Sequence, residues 1–165
     1  MNFTDIFNKQ LELDKELTQK ALDLNPNFTK NDLEKRKLIA LMVELGEFAN
    51  EIETFKYWKK TRNLNRDFIC EEFADLIHFL VSFGNDYNLP TTINSKIISN
   101  DINEQLIETF SAISQANNKI NEEKLLNIFE LVLGLAELYG LEENEIAKWY
   151  EIKNKKNHER IKTNY

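Results

Sequence analysis

The chain has 165 residues, with 21 Lys and Arg against 28 Asp and Glu, and a formal net charge of −7. A single cysteine excludes a disulfide-stapled scaffold. Four scattered glycines and two prolines argue against a glycine-rich phosphate loop and against a turn-dense all-β fold. The acidic balance argues against nonspecific nucleic-acid binding. No apolar run approaches the ~20 residues of a membrane span. The opening MNFTDIFNKQLELDKEL also lacks the basic-then-apolar order of a signal peptide. A cytoplasmic, all-α single domain over residues 1–165 is expected, without membrane or nucleic-acid partners.

Residues 2–24 place Phe3, Ile6, Phe7, Leu11, Leu13 and Leu17 near helical spacing, and Asn25-Pro26 stops the run because proline restricts the residue before it. Thr29 or Asn31 caps a second helix reaching to about Phe55, with Leu38, Leu41, Met42, Leu45, Phe48 and Ile52 as its apolar set. A connection over 56–65 leads to a third helix, about 66–88, that Leu89-Pro90 stops. Residues 91–100 read as a polar loop. Further helices follow at about 101–118, 121–139 and 142–162, with Asn121 as a cap and Gly140 as a terminating glycine. The expectation is a bundle of about five to seven helices.

Chemistry enters with the carboxylates. At about 100° per residue, Glu47 lies about 60° from Glu44 and Glu51 about 20° from it, so all three share one stripe with Phe48 and Phe55. Glu72 and Asp75 are again about 60° apart, with Phe79 on their stripe. Taken alone, such a spacing belongs to many solvated helix faces. Two of them interleaved with phenylalanines are harder to solvate, and burying unpaired carboxylates costs several kcal/mol each. A positive partner is required, and an oxygen-rich set of this kind suits Mg²⁺.

Glu44-Leu-Gly-Glu47, 24 intervening residues, then Glu72-Phe-Ala-Asp75 resemble the E-x-x-E…E-x-x-D signature of the all-α NTP pyrophosphatase superfamily. The wider text VELGEFANEIETFKYWK and EEFADLIHFLVSFG is similar to the dimeric dUTPase family of bacteria and their phages. Gln10-Leu-Glu-Leu-Asp14 resembles that family's first motif, and the helix from Tyr150 through Lys153, Asn154, Asn157, His158 and Arg160 resembles its last. Two departures stand out. Leu76-Ile77 replace a glycine expected near the motif histidine, and Asn164-Tyr165 replace a terminal Gly-Tyr. Residues 85–145 carry no matched motif.

The resemblance implies Mg²⁺-dependent hydrolysis of dUTP, and of dUDP, to dUMP. Pyrophosphate is released from dUTP, and uracil is kept out of DNA. It implies two or more Mg²⁺ ions held by Glu44, Glu47, Glu72 and Asp75, with Glu44 orienting or deprotonating the attacking water. Glu51 is either an outer ligand or a supporting acid. Lys56, Lys153 and Arg160 are the expected phosphate contacts. Gln10 and either Asn154 or Asn157 are expected to read the base, with Trp58 or Tyr57 as an apolar wall and Asp14 and His78 nearby. Trp58 and His78 also read as packing residues, and Cys70 as a small buried hydrophobe. A homodimer is implied. Two other functions fit the pattern: a related pyrophosphatase acting on dCTP or noncanonical nucleotides, and a non-enzymatic helical interaction module.

Overall fold

The structure, a computed structural model, describes residues 1–163. Six helices follow one another: α1 (Thr4–Leu24), α2 (Lys30–Ile52), α3 (Arg66–Tyr87), α4 (Ile102–Ala116), α5 (Glu122–Tyr139) and α6 (Glu143–Lys162). The all-α bundle expected from the sequence is the fold observed. No helix among the described residues is long and apolar enough to cross a membrane.

The sequence puts α3 at the centre. Ile69, Phe73, Leu76, Ile77, Leu80, Val81 and Phe83 leave it apolar nearly all round, and a helix of that kind belongs inside. It packs against α1, α2, α5 and α6, while α4 lies across α2 and α5. Phe48 of α2 meets Phe73 of α3 edge-on, with ring centroids 5.4 Å apart. Cys70 is buried in the same core, as its residue type suggested.

Local chemistry sets the helix ends. Thr29 and Asp32 form a capping box at the start of α2, and the Asn121 side chain accepts from the Lys124 amide at the start of α5. Gly140 ends α5 at φ 78°, a left-handed conformation that glycine adopts without strain. One boundary differs from expectation. α2 stops at Ile52 rather than near Phe55, because Glu53 turns left-handed (φ 54°) and is held there by ion pairs to Lys56 and Lys59.

The 91–100 segment is a loop pinned from both sides. Phe3 donates its amide to Thr91 (2.7 Å), and the buried Gln105 donates to Lys96 O (2.7 Å) and Leu131 O (3.0 Å) while accepting from the Ile98 amide. Gly134 admits this close approach: a Cβ there would fall 2.2 Å from the Lys96 carbonyl oxygen.

Candidate active site

The central packing of α2 on α3 brings the carboxylates together. Leu41, Leu45 and Phe48 bury one face of α2, and Phe73, Leu76 and Ile77 bury the facing side of α3. The intervening acids are carried to the seam between the helices. Glu44, Glu72 and Asp75 each present a carboxylate oxygen within 4.8 Å of the others. Burial, reinforced by the charges of Asp75, Glu47 and Glu72, pushes Glu44 to about 8. Burial and the Asp75 charge push Glu72 to about 7, and burial raises Asp75 as well. Glu47 stands exposed at the rim with its carboxyl group against Glu72.

Cations of α6 answer this cluster from within the chain, with Arg160 acting on Asp75 beside Lys153. Lys153 of α6 places Nζ 2.5 Å from Asp75 and 3.0 Å from Glu71, which also holds Lys156 at 2.9 Å. Burial works against the Lys153 ammonium, but Asp75 and Glu71 together carry it above the ordinary lysine range. The Glu44 Oε2 atom is buried without a hydrogen-bond partner among the described residues. Three converging hard oxygens with an unmet positive requirement fit a divalent cation such as Mg²⁺.

A cavity of about 390 Å³ opens beside this cluster, between α1, α2, α3 and α6. Leu13, Leu17, Leu33 and Phe79 give it apolar walls. Gln10, Asp14, His78 and Ser82 give it a polar group, and a hydrogen-bonded chain orders most of that group. The His78 ring stacks on Tyr150 with centroids 4.2 Å apart. His78 Nδ1 lies 2.7 Å from Gln10 Oε1, Tyr150 donates its hydroxyl to the same oxygen at 2.9 Å, and Gln10 Nε2 donates to Asp14 Oδ1 at 2.8 Å. Burial depresses His78 to about 3, so it stays neutral. Burial raises Asp14 above its usual range, against the pull of Gln10, Lys37 and the Ser82 hydroxyl. Asp14 Oδ2, His78 Nε2 and Ser82 Oγ have no partner among the described residues. Buried polar atoms are normally satisfied, so unpaired ones around an apolar cavity mark a place where a ligand supplies the missing partners.

A sequence profile described as dUTPase matches residues 2–165. The chain belongs to the dUTPase family. Within that family the enzyme is a dUTP diphosphatase, hydrolysing dUTP to dUMP. A non-enzymatic helical module and a pyrophosphatase for other nucleotides are therefore set aside. No curated protein matches the chain.

The enzyme gathers most of the residues singled out from its sequence. Gln10, Asp14, Glu44, Asp75, His78, Lys153, Asn157 and Arg160 all line the cavity, and Glu72 joins through the acidic cluster. Others lie elsewhere, Tyr57 among them at 90% exposed. Lys56 turns back to Glu53 and to the Asn50 carbonyl, so its ammonium is spent on closing the end of α2. Trp58 is 62% exposed, packed edge-on against Phe55 and Tyr57 in the connection before α3, neither core nor cavity wall. Asn154 is buried one turn from Tyr150 and donates to its hydroxyl at 3.4 Å, supporting the site from behind. Of the two asparagine candidates, Asn157 is the one on the cavity.

The sequence assigns no role to Arg36, Lys37 or Ser82, nor to Tyr150, which enters only as the first residue of the last motif. Arg36 and Lys37 stand eight and seven residues before Glu44, so helical spacing alone places them near its face. Ser82 follows His78 by four residues and shares its face in the same way. At the departures from the family text, Leu76 and Ile77 are fully buried core residues, whereas Asn164-Tyr165 lie outside the described residues.

Proposed function

We propose that the enzyme hydrolyses dUTP, and dUDP by the same route, with two or more Mg²⁺ ions held by Glu44, Glu47, Glu72 and Asp75. The observation that carries this is the convergence of three half-buried carboxylates within 4.8 Å, one of them with an oxygen that has no partner among the described residues. When bound, the ions neutralise phosphate charge and make water a stronger acid. The chain does the rest. Glu44 orients the attacking water and takes its proton. Lys153, Arg160 and Asn157 line the cavity where phosphate oxygens must lie, and arginine's planar fork suits a phosphate bidentately. Leu13, Leu17 and Phe79 enclose the base, while Gln10, Asp14 and His78 meet its polar edge. The whole of 1–165 acts as one domain in this reading.

A homodimer fits the surface. Ile39 and Val43 stand one turn apart and exposed on α2, and Gly46, Ala49 and Phe55 continue that face into an apolar groove closed by Leu106, Ile107 and Phe110. Ile107 alone is 69% exposed. A second copy covering this groove would remove it from water. The proposed setting is the cytoplasm of a bacterium, or one infected by phage, which the Asn- and Lys-rich composition supports.

The test is cation binding without substrate. Isothermal titration of the metal-free protein with Mn²⁺ is expected to give saturable binding that Mg²⁺ displaces and that Asp75→Asn abolishes. An unchanged Mn²⁺ isotherm in Asp75→Asn would remove the acidic cluster from the mechanism. Sedimentation at micromolar concentration is expected to give twice the 19.5 kDa chain mass, and a single-chain mass would contradict the dimer.

A further inference from the structure

The polar group of the cavity is wired in one direction. Gln10 bridges two partners with opposite ends of its amide: Oε1 faces His78 Nδ1 and the Tyr150 hydroxyl, and Nε2 faces Asp14. An ionised carboxylate has no proton to give, so Asp14 accepts only a donor. Turning the amide over would set its oxygen against the Asp14 oxygen at hydrogen-bond distance. With Oε1 held toward His78, the imidazole must donate from Nδ1, and a neutral ring with its proton on Nδ1 has a bare lone pair on Nε2. That Nε2 is buried, in a side chain only 5% exposed, and has no hydrogen-bond partner among the described residues.

We propose that Asp14 is a positioning residue for base selection: its carboxylate fixes the Gln10 amide, the amide fixes the His78 tautomer, and the resulting Nε2 lone pair selects a base that offers an N–H. The inference rests on the base of dUTP entering this cavity. Uracil offers such an N–H at N3, between two carbonyl oxygens. Cytosine presents a lone pair at N3. A cytosine seated in the same place would oppose two acceptors and leave His78 unpaired in an apolar surround, and sites that leave buried polar groups unpaired discriminate strongly. Ser82, on the same face of α3 one turn after His78, sets its hydroxyl beside Asp14 and helps to keep that carboxylate ionised. Tyr150 supports the same polarity by adding a second donor at Gln10 Oε1.

The chain has two histidines, His78 and His158, so the tautomer is directly readable. Long-range ¹H–¹⁵N spectra of the labelled full-length protein, assigned with the aid of His158→Gln, are expected to show His78 protonated on Nδ1 and bare on Nε2. In Asp14→Asn, an isosteric change whose amide can face Gln10 either way, an Nε2–H population is expected to appear. The kcat/KM preference for dUTP over dCTP is then expected to fall by about tenfold or more, chiefly through KM for dUTP. Mn²⁺ affinity without substrate is expected to stay at the wild-type value, a result that a general loss of structure would not give. If Asp14→Asn does not fold, Tyr150→Phe, which keeps the stacked ring and removes the second donor, is expected to move the tautomer and the preference the same way. A wild-type His78 protonated on Nε2 would overturn the proposal, as would an unchanged tautomer and preference in the folded variant. Absence of dUTP turnover by the wild type would overturn the base-selection step and the dUTP reading together, whereas the spectrum reports the Asp14–Gln10–His78 wiring independently of turnover.

Discussion

Replacing Glu44 by glutamine should stabilise the metal-free protein, and do so more strongly as pH rises. The Glu44 carboxyl has an ordinary value of 4.5 and is pushed up to about 8 by burial and by its acidic neighbours. Its folded value therefore lies above its unfolded value. Between the two, the unfolded chain has released a proton that the folded chain still holds. Stability consequently falls as pH rises from 4.5 and stops falling above about 8. At about 1.4 kcal/mol per pH unit, the gross cost at pH 7 is about 3.4 kcal/mol. Glu44 is only half-buried, and solvent screening roughly halves that figure, leaving ~1.5 kcal/mol. Glutamine keeps the shape and carries no such cost. Urea unfolding in the presence of a chelator, from pH 4.5 to 8.5, should show wild type and Glu44→Gln close together at the acid end and separated by ~1.5 kcal/mol at pH 7. In thermal unfolding that corresponds to about 3–6 °C for a chain of this size. Parallel pH profiles, or a glutamine variant that is the less stable at pH 8, would refute the reasoning that the cluster stores repulsion for a cation to relieve.

The buried His78 works with the opposite sign. Its folded value of about 3 lies below the unfolded 6.5, so the unfolded chain takes up a proton first and stability falls as pH drops from 6.5 toward 3. The limiting slope is ~1.4 kcal/mol per pH unit, and denaturant titrations should show it shallower by that amount in His78→Gln. Gly134→Ala should destabilise by ~1–3 kcal/mol, read by thermal unfolding, because its Cβ would strike the Lys96 carbonyl, which is backbone and has little room to yield. A wild-type melting temperature in that variant would mean that the 91–100 loop is not pinned as described.

What the sequence disclosed was what local chemistry decides. Thr29, Asn121 and Gly140 announce helix ends because a cap or a left-handed turn needs only its own neighbours. The Glu44–Glu47 and Glu72–Asp75 spacings announce two acidic stripes because a helix repeats every 3.6 residues. That the stripes would meet is a tertiary fact, supplied at the sequence level only by the resemblance to dUTPases. The end of α2 was misplaced because the Glu53 turn depends on Lys56 and Lys59 folding back onto its carboxylate, and no periodicity reports that. The same fold-back takes Lys56 away from the cavity, and Trp58 leaves with it on the connection before α3. Gln10 and His78 stand 68 residues apart and meet only because α1 and α3 pack together. Tyr150 stands in the last motif without a role attached to it, and Ser82 gives no signal of its own. Their roles come from contacts across helices, in which a tyrosine or serine looks like any other packing residue until its neighbours are known.

Pyrophosphate release from dUTP, dCTP, dTTP and UTP, with and without Mg²⁺, tests the central claim most directly. The account predicts turnover of dUTP that requires Mg²⁺ and far exceeds turnover of the other three. Preference for dCTP, or dUTP turnover undiminished by a chelator, would contradict it.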